Sequence, residues 1–248
     1  MRIGIGAGTD IRKVLSSAAS VTGQGIEVFC YATGERSRGI ADPGLRTSDR
    51  PAEDLVRALV DGEIDAAVRG SLPANETLRA LKEATGVGHL LRIAILSTPA
   101  GRKFLLAPVG VDEGWTVAEK VELVERGRAL SARLGLPPEV AVLSGGRLGD
   151  QGRHPAVDRS LAEAERVALM TGAVHREILI EEAVATAGLV IAPDGISGNL
   201  IFRTLVFLGG GGSYGAPVVN IDRIFVDSSR ASPNYANALI TASALAKK

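Results

Sequence analysis

Short apolar runs alternate with longer amphipathic stretches along most of the 248 residues, and no other feature narrows the fold as much. The pattern is that of βα units wound around a mainly parallel sheet. Arg2 to Gly6 reads as a strand, followed by the turn Gly6-Ala7-Gly8-Thr9-Asp10 and a helix from Ile11 to Ala19 that Thr9 or Asp10 can cap. Glu27 to Tyr31 is the next strand. Pro51 stands where a first helical residue belongs, and the helix it opens ends near Gly62. Ile64 to Val68 is then a buried strand.

Near residue 100 the rhythm changes. Leu90 to Leu96 and Lys103 to Val109 are apolar runs separated by Thr98-Pro99-Ala100-Gly101, which predicts a hairpin and so an antiparallel element. Thr116 caps a long helix, Val117 to Leu134, closed by Gly135 and two prolines. Strands are expected at Val140 to Leu143, Leu189 to Ala192, Pro217 to Ile221 and Arg223 to Val226. Helices are expected at Pro155 to Met170, Gly198 to Leu208 and Pro233 to Ala246, and Gly209 to Gly212 reads as a flexible loop. The expected organisation is α/β with two domains: residues 1–108 plus 219–248 form the first, and residues 109–218, inserted into it, form the second.

Composition excludes several functions. Hydrophobic residues make up 46% of the chain, enough to bury a core without disulfides, and 28 cations cancel 28 anions, so neither nucleic acid nor an anionic membrane is an expected partner. No apolar stretch reaches the roughly 20 residues that span a bilayer, and Met1 to Gly6 reads as a strand rather than a signal peptide, which points to the cytoplasm. Cys30, the single cysteine, reads as a buried strand thiol. His89, His154 and His175 are far apart and lack Cys or His neighbours at ligand spacing, so no metal is expected.

Three segments could carry chemistry. Gly4-x-Gly6-x-Gly8 suits either a dinucleotide pyrophosphate or merely a tight turn, and its spacing is not G-x-G-x-x-G. In Ala192-Pro193-Asp194-Gly195-Ile196-Ser197-Gly198-Asn199 an apolar strand runs into a small-residue loop and a helix, which makes either an anion cradle at the helix start or a plain capped turn. Asp227-Ser228-Ser229-Arg230 offers an arginine fork and a hydroxyl suited to an oxyanion, or else Asp227 and Arg230 form an ion pair. Arg69, Arg102, Lys103 and Arg147 either line a ligand site or are solvated cations, the commoner case for surface arginines.

Taken in order, these segments resemble the phosphate acetyl/butyryl transferase family over almost the whole chain. Asp65-Ala66-Ala67-Val68-Arg69-Gly70 and the helix after it look like that family's D-x-x-V-A-G segment, and Val140 to Ser144 looks like V-A-M-L-S. Pro193-Asp194 through Gly198-Asn199 to Phe202-Arg203 is similar to P-D-L-x-x-G-N-x-x-Y-K, and Ser229-Arg230 falls on the family's Ser-Arg pair. The resemblance implies an isocitrate/isopropylmalate dehydrogenase-like fold, a homodimer, and a small anionic substrate in the cleft between domains. It also implies acyl transfer between coenzyme A and phosphate, with Ser229 and Arg230 catalytic and Asp194, Ser197, Gly198 and Asn199 binding substrate. The aspartate that the family uses as base is replaced here by Ala236. That departure makes the chain look most like the family's divergent methanogen marker branch, of MtxX type, which is described as methyltransferase. Besides acyl transfer, two readings follow: a methyl or one-carbon transferase serving methanogenesis, and a binding or regulatory module that has lost catalysis.

Overall fold

The computed structural model describes residues 1–247 as two compact units, one of Met1–Leu90 with Tyr214–Lys248 and one of Leu91–Ser213. Along the first run come β1 (Arg2–Ala7), α1 (Ile11–Ser20), β2 (Glu27–Ala32), β3 (Leu45–Thr47), α2 (Pro51–Val60), β4 (Ala66–Val68) and α3 (Ala74–Thr85). The second unit holds β5 (Ala94–Ser97), β6 (Lys103–Ala107), α4 (Val117–Arg133), β7 (Val140–Val142), α5 (Pro155–Thr171), β8 (Val174–His175), α6 (Ile180–Thr186), β9 (Leu189–Ile191), α7 (Gly195–Arg203) and β10 (Gly212–Ser213). The chain ends with β11 (Ala216–Pro217), β12 (Phe225–Asp227) and α8 (Ala236–Ala246) of the first unit.

The first sheet runs β11-β12-β4-β1-β2-β3, parallel except for β11. From β1 the chain winds outward through β2 and β3, then returns to β4 on the other side. The winding therefore reverses between β1 and β4, and the carboxyl ends at such a reversal are the usual ligand position in a doubly wound sheet. Side-chain alternation decides which helices cover which face. Ile3, Ile5, Ala7, Ala66, Val68 and Val226 pack with Val14 of α1 and with Tyr235, Leu239 and Ala242. Ala67 and Phe225 point the other way, to Leu55 and Leu59 of α2 and Leu81 of α3.

Gly4 and Gly6 fall on that second face. A Cβ on Gly4 would meet the Ile64 and Leu55 side chains, one on Gly6 would strike Leu72, and one on Gly8 would strike the Ser71 carbonyl. The Gly-x-Gly-x-Gly run is thus accounted for by packing, and the Gly8 N–H is already engaged by the Ser71 hydroxyl at 2.9 Å.

The second sheet runs β10-β5-β6-β9-β7-β8, with β10-β5-β6 antiparallel and the rest parallel. The expected hairpin is present. It carries residues 91–108 into the second unit, because β6 pairs with β9, so the boundary expected at residue 108 moves to Leu91. Likewise residues 214–218 fall with the first unit, through the pairing of β11 with β12. The strand expected at Pro217 to Ile221 shrinks to Ala216–Pro217. The helix expected from Gly198 starts at Gly195 and gives way to a wider π turn over Thr204–Leu208. Gly212 belongs to β10 rather than to a free loop. The last helix begins at Ala236, not Pro233, because Tyr235 N–H is diverted to the Ser17 hydroxyl at 2.9 Å and residues 231–234 form the approach. Among the described residues, no helix is long and apolar enough to cross a membrane.

Candidate functional site

Two loops carry the residues that the sequence marks, one in each unit. In the first unit the loop after β12 is tied down by Arg69, which stands at the carboxyl end of β4. Arg69 is 5% exposed, far from a solvated cation, and every arm of its guanidinium is engaged. Nε pairs with Asp227, Nη1 donates to the Leu72 carbonyl at 2.8 Å, and Nη2 donates to the Ser228 carbonyl. Asp227 also accepts the Ser228 N–H at 2.7 Å, and the Ser228 hydroxyl donates to the Gly70 carbonyl at 3.1 Å. Asp227 is therefore committed to Arg69 and not to Arg230. Arg69 occupies the alanine position of the D-x-x-V-A-G pattern, so the buried cation is a departure from the pattern rather than part of it.

Beyond this anchor the loop changes character. Ser229 is half-buried, and its Oγ accepts the Ala231 N–H at 3.2 Å, which leaves its proton free to point outward. Arg230 is exposed; its carbonyl, with that of Ser232, takes a 3.0 Å hydrogen bond from Lys13 Nζ, while its guanidinium has no ion-pair partner among the described residues. Lys13 also lies 5.1 Å above the Tyr235 ring. Asp10, the residue that caps α1, accepts the Lys13 N–H at 3.0 Å. Ala236, where the resemblance places a base, is the first residue of α8.

In the second unit the donors around α7 are largely engaged. Asp194 caps the helix by accepting the Ser197 N–H at 2.8 Å, and Gly195 N–H donates to the Glu113 carbonyl at 3.0 Å. Asn199 Nδ2 donates to the Val109 carbonyl at 2.9 Å, and a Cβ on Gly198 would strike the Pro108 carbonyl. Beneath them the 108–113 loop is held by Glu113, whose carboxylate pairs with buried Arg92 and accepts the Gly110 N–H at 3.2 Å. Asp194, Gly198 and Asn199 thus shape the turn, and the half-buried Ser197 hydroxyl is left without a described partner. Arg102, Lys103 and Arg147 are exposed.

Ser144 and His175, which no motif pairs, are in contact, with Oγ and Nε2 3.0 Å apart. The Ser144 hydroxyl donates to the Gly146 carbonyl at 2.9 Å, so it presents a lone pair to the histidine. A nucleophile facing its base would present its proton instead. Burial pushes the Cys30 thiol up to about 12, which leaves it an inert core group. Among the described residues no three His, Cys, Asp or Glu side chains gather as a metal site.

The fold is shared with solved structures of low sequence identity. It superposes on a branched-chain phosphotransacylase from Enterococcus faecalis with a TM-score of 0.81, covering 100% of this chain and 99% of that one at 19% identity. A 4-hydroxythreonine-4-phosphate dehydrogenase from Klebsiella pneumoniae follows it less closely, with a TM-score of 0.62 at 12% identity, covering 99% of each chain. The architecture is therefore of the phosphotransacylase and dehydrogenase-like α/β class. In sequence, the chain is 44% identical over 251 residues to the "Putative methyltransferase mtx subunit X" of Methanosarcina acetivorans, across 98% of this chain and 90% of the relative. The chain belongs to the mtx subunit X family. No protein-family model matches it.

Proposed function

We propose that the protein is a transferase that binds a phosphate-bearing or acyl-phosphate substrate at Ser229 and Arg230, with coenzyme A as the acyl carrier. One observation carries this reading: an exposed arginine without an ion-pair partner among the described residues stands beside Ser229, just after the Asp227 that a buried ion pair anchors. Arg230 neutralises the phosphate, and Ser229 donates to the oxyanion that forms when a thiol attacks the acyl carbon. In the second unit, Asp194, Gly198 and Asn199 fix the turn that carries the Ser197 hydroxyl.

Without a carboxylate at position 236, the thiol ionises unaided. A thiol of pKa near 8.5 is only a few per cent thiolate at neutral pH, so acyl transfer should rise by about tenfold per pH unit until that pKa is reached. A flat profile between pH 6 and 8 would show that another base serves. The reading is tested by calorimetric or thermal-shift titration with phosphate, acetyl phosphate and coenzyme A, repeated on Arg230→Ala. Ligands selective for the folded state raise its melting point, and the variant should abolish that rise. A wild-type protein silent to all three overturns the reading.

Methyl or one-carbon transfer is a second reading, favoured by the name that the Methanosarcina relative carries. It predicts a response to adenosylmethionine or to a methanogenic one-carbon carrier and none to acetyl phosphate.

A further inference from the structure

Tyr235 is the one large residue of the first core whose chemistry packing does not account for. Its ring is 1% exposed and sits among Ile3, Ile5, Val14 and Leu239, yet its hydroxyl has no hydrogen-bond partner among the described residues. A buried hydroxyl nearly always finds a partner, because leaving water without one is costly, so an orphan calls for an explanation. Phenylalanine would fill the same space without that cost.

The surroundings of the hydroxyl supply one. The charges that act on it are Arg69, Asp10 and Arg230, in that order, and they come from the carboxyl ends of β4, β1 and β12. These are neighbouring strands, and the winding of the sheet reverses between β4 and β1. Desolvation raises the phenol above its ordinary range, which keeps the proton on the oxygen. Lys13 holds the Arg230 and Ser232 carbonyls of the turn just before Tyr235, so the phenol and the Ser229-Arg230 loop are parts of one tied assembly.

We propose that the Tyr235 hydroxyl is a substrate-binding donor, which gives its hydrogen bond to an oxygen of the anion that Arg230 binds. The ligand class is a phosphate-type oxyanion, whether free or carried on an acyl phosphate or coenzyme A. This inference rests on the function proposed above and adds a residue that its sequence motifs do not contain. The hydroxyl is closed to solvent, so the 229–234 turn shifts as the anion enters.

Tyr235→Phe tests it, because the variant removes one oxygen and keeps the ring. The melting point without ligand should be unchanged or higher, since an unpaired buried polar atom is removed. Phosphate binding, measured by calorimetry with inorganic phosphate, acetyl phosphate and coenzyme A in separate titrations, should weaken by about ten- to a hundredfold, as expected for a hydrogen bond to a charged ligand. Tyr235→Phe that melts lower and binds all three as the wild type does would overturn the proposal, and would assign the hydroxyl a purely structural partner. Arg230→Ala separates the two levels. If wild type binds and Arg230→Ala does not, while Tyr235→Phe does, only this inference fails; if wild type binds none of the three, the function proposed above fails with it.

Discussion

The loop after β12 and the turn that opens α7 are alike in sequence, each an apolar strand running into small and polar residues, yet they use their polar groups in opposite ways. At α7 the cap, the amide of Asn199 and the Gly195 N–H are all bonded within the unit. At the other loop the bonding stops short: Arg69, Asp227 and Ser228 engage one another, while Ser229, Arg230 and Tyr235 keep donors that nothing among the described residues accepts. A helix start with free N–H groups in principle becomes a capped turn in practice when its own aspartate reaches back. Binding capacity is better judged from donors left over than from motif shape.

The strongest way to break this comparison is to remove the anchor. Arg69→Met leaves Asp227 buried without a counter-charge, and loss of one partner of a buried pair typically costs about 3–5 kcal/mol. The expected result is a large fall in the urea midpoint together with loss of the response to phosphate. A variant that keeps both would show that the loop does not depend on the pair. Next in size is Gly198→Ala, whose methyl would press on the Pro108 carbonyl; overpacking of this kind costs about 1–3 kcal/mol. This loss should come without a matching loss in phosphate affinity, since Gly198 shapes the turn and does not donate to the ligand.

Much of this architecture was legible because parallel strands and amphipathic helices leave strong periodic signals. The hairpin at Thr98 to Gly101, the cap at Thr116 and the strands β1, β2, β4, β5, β6, β7 and β9 are of that kind. What escaped was set by distant contacts. Arg69 looks like any surface arginine until Asp227, 158 positions away, is brought beside it. The domain boundary was misplaced because a hairpin's sheet is decided by its partner β9, some eighty residues on. Two-residue strands such as β8 and β10 carry no periodicity at all. Of the candidate site, Ser229 and Arg230 were visible as a motif, whereas Tyr235 was not: an aromatic near a helix start signals only packing, and its orphaned oxygen is a property of the folded chain.

A gentler test sharpens the assignment of Asp194. If it is a cap, Asp194→Ala should cost about 1 kcal/mol, within the range of roughly 0.5–2 seen for such caps. Thermal unfolding would report that loss, and phosphate affinity should change far less than in Arg230→Ala. A variant of normal stability that no longer binds phosphate would reverse the assignment and make the carboxylate a ligand group.

The smallest expected effect concerns the amino ends of β1 and β4. Asp65, just before β4, accepts the Arg2 N–H at 2.7 Å and its Nη2 at 2.9 Å, and these bonds hold its carboxyl below the usual range. A carboxylate with a lowered folded-state pKa adds stability that is present above its unfolded value, near 3.9, and is lost as pH falls through the folded value. Glu139 of the second unit is lowered in the same direction by Thr186 and Arg176. Each should therefore contribute to acid destabilisation below about pH 4. Asp65→Asn should flatten part of the decline in urea midpoint as the pH is lowered from 5 to 3, and Glu139→Gln should do the same independently, the sites lying in separate units. Because both pairs are partly solvated, salt should shrink the two contributions together. A slope unchanged in Asp65→Asn would mean that Arg2 holds Asp65 as firmly in the unfolded chain as in the folded one, and the tie between β1 and β4 would then rest on the backbone ladder alone.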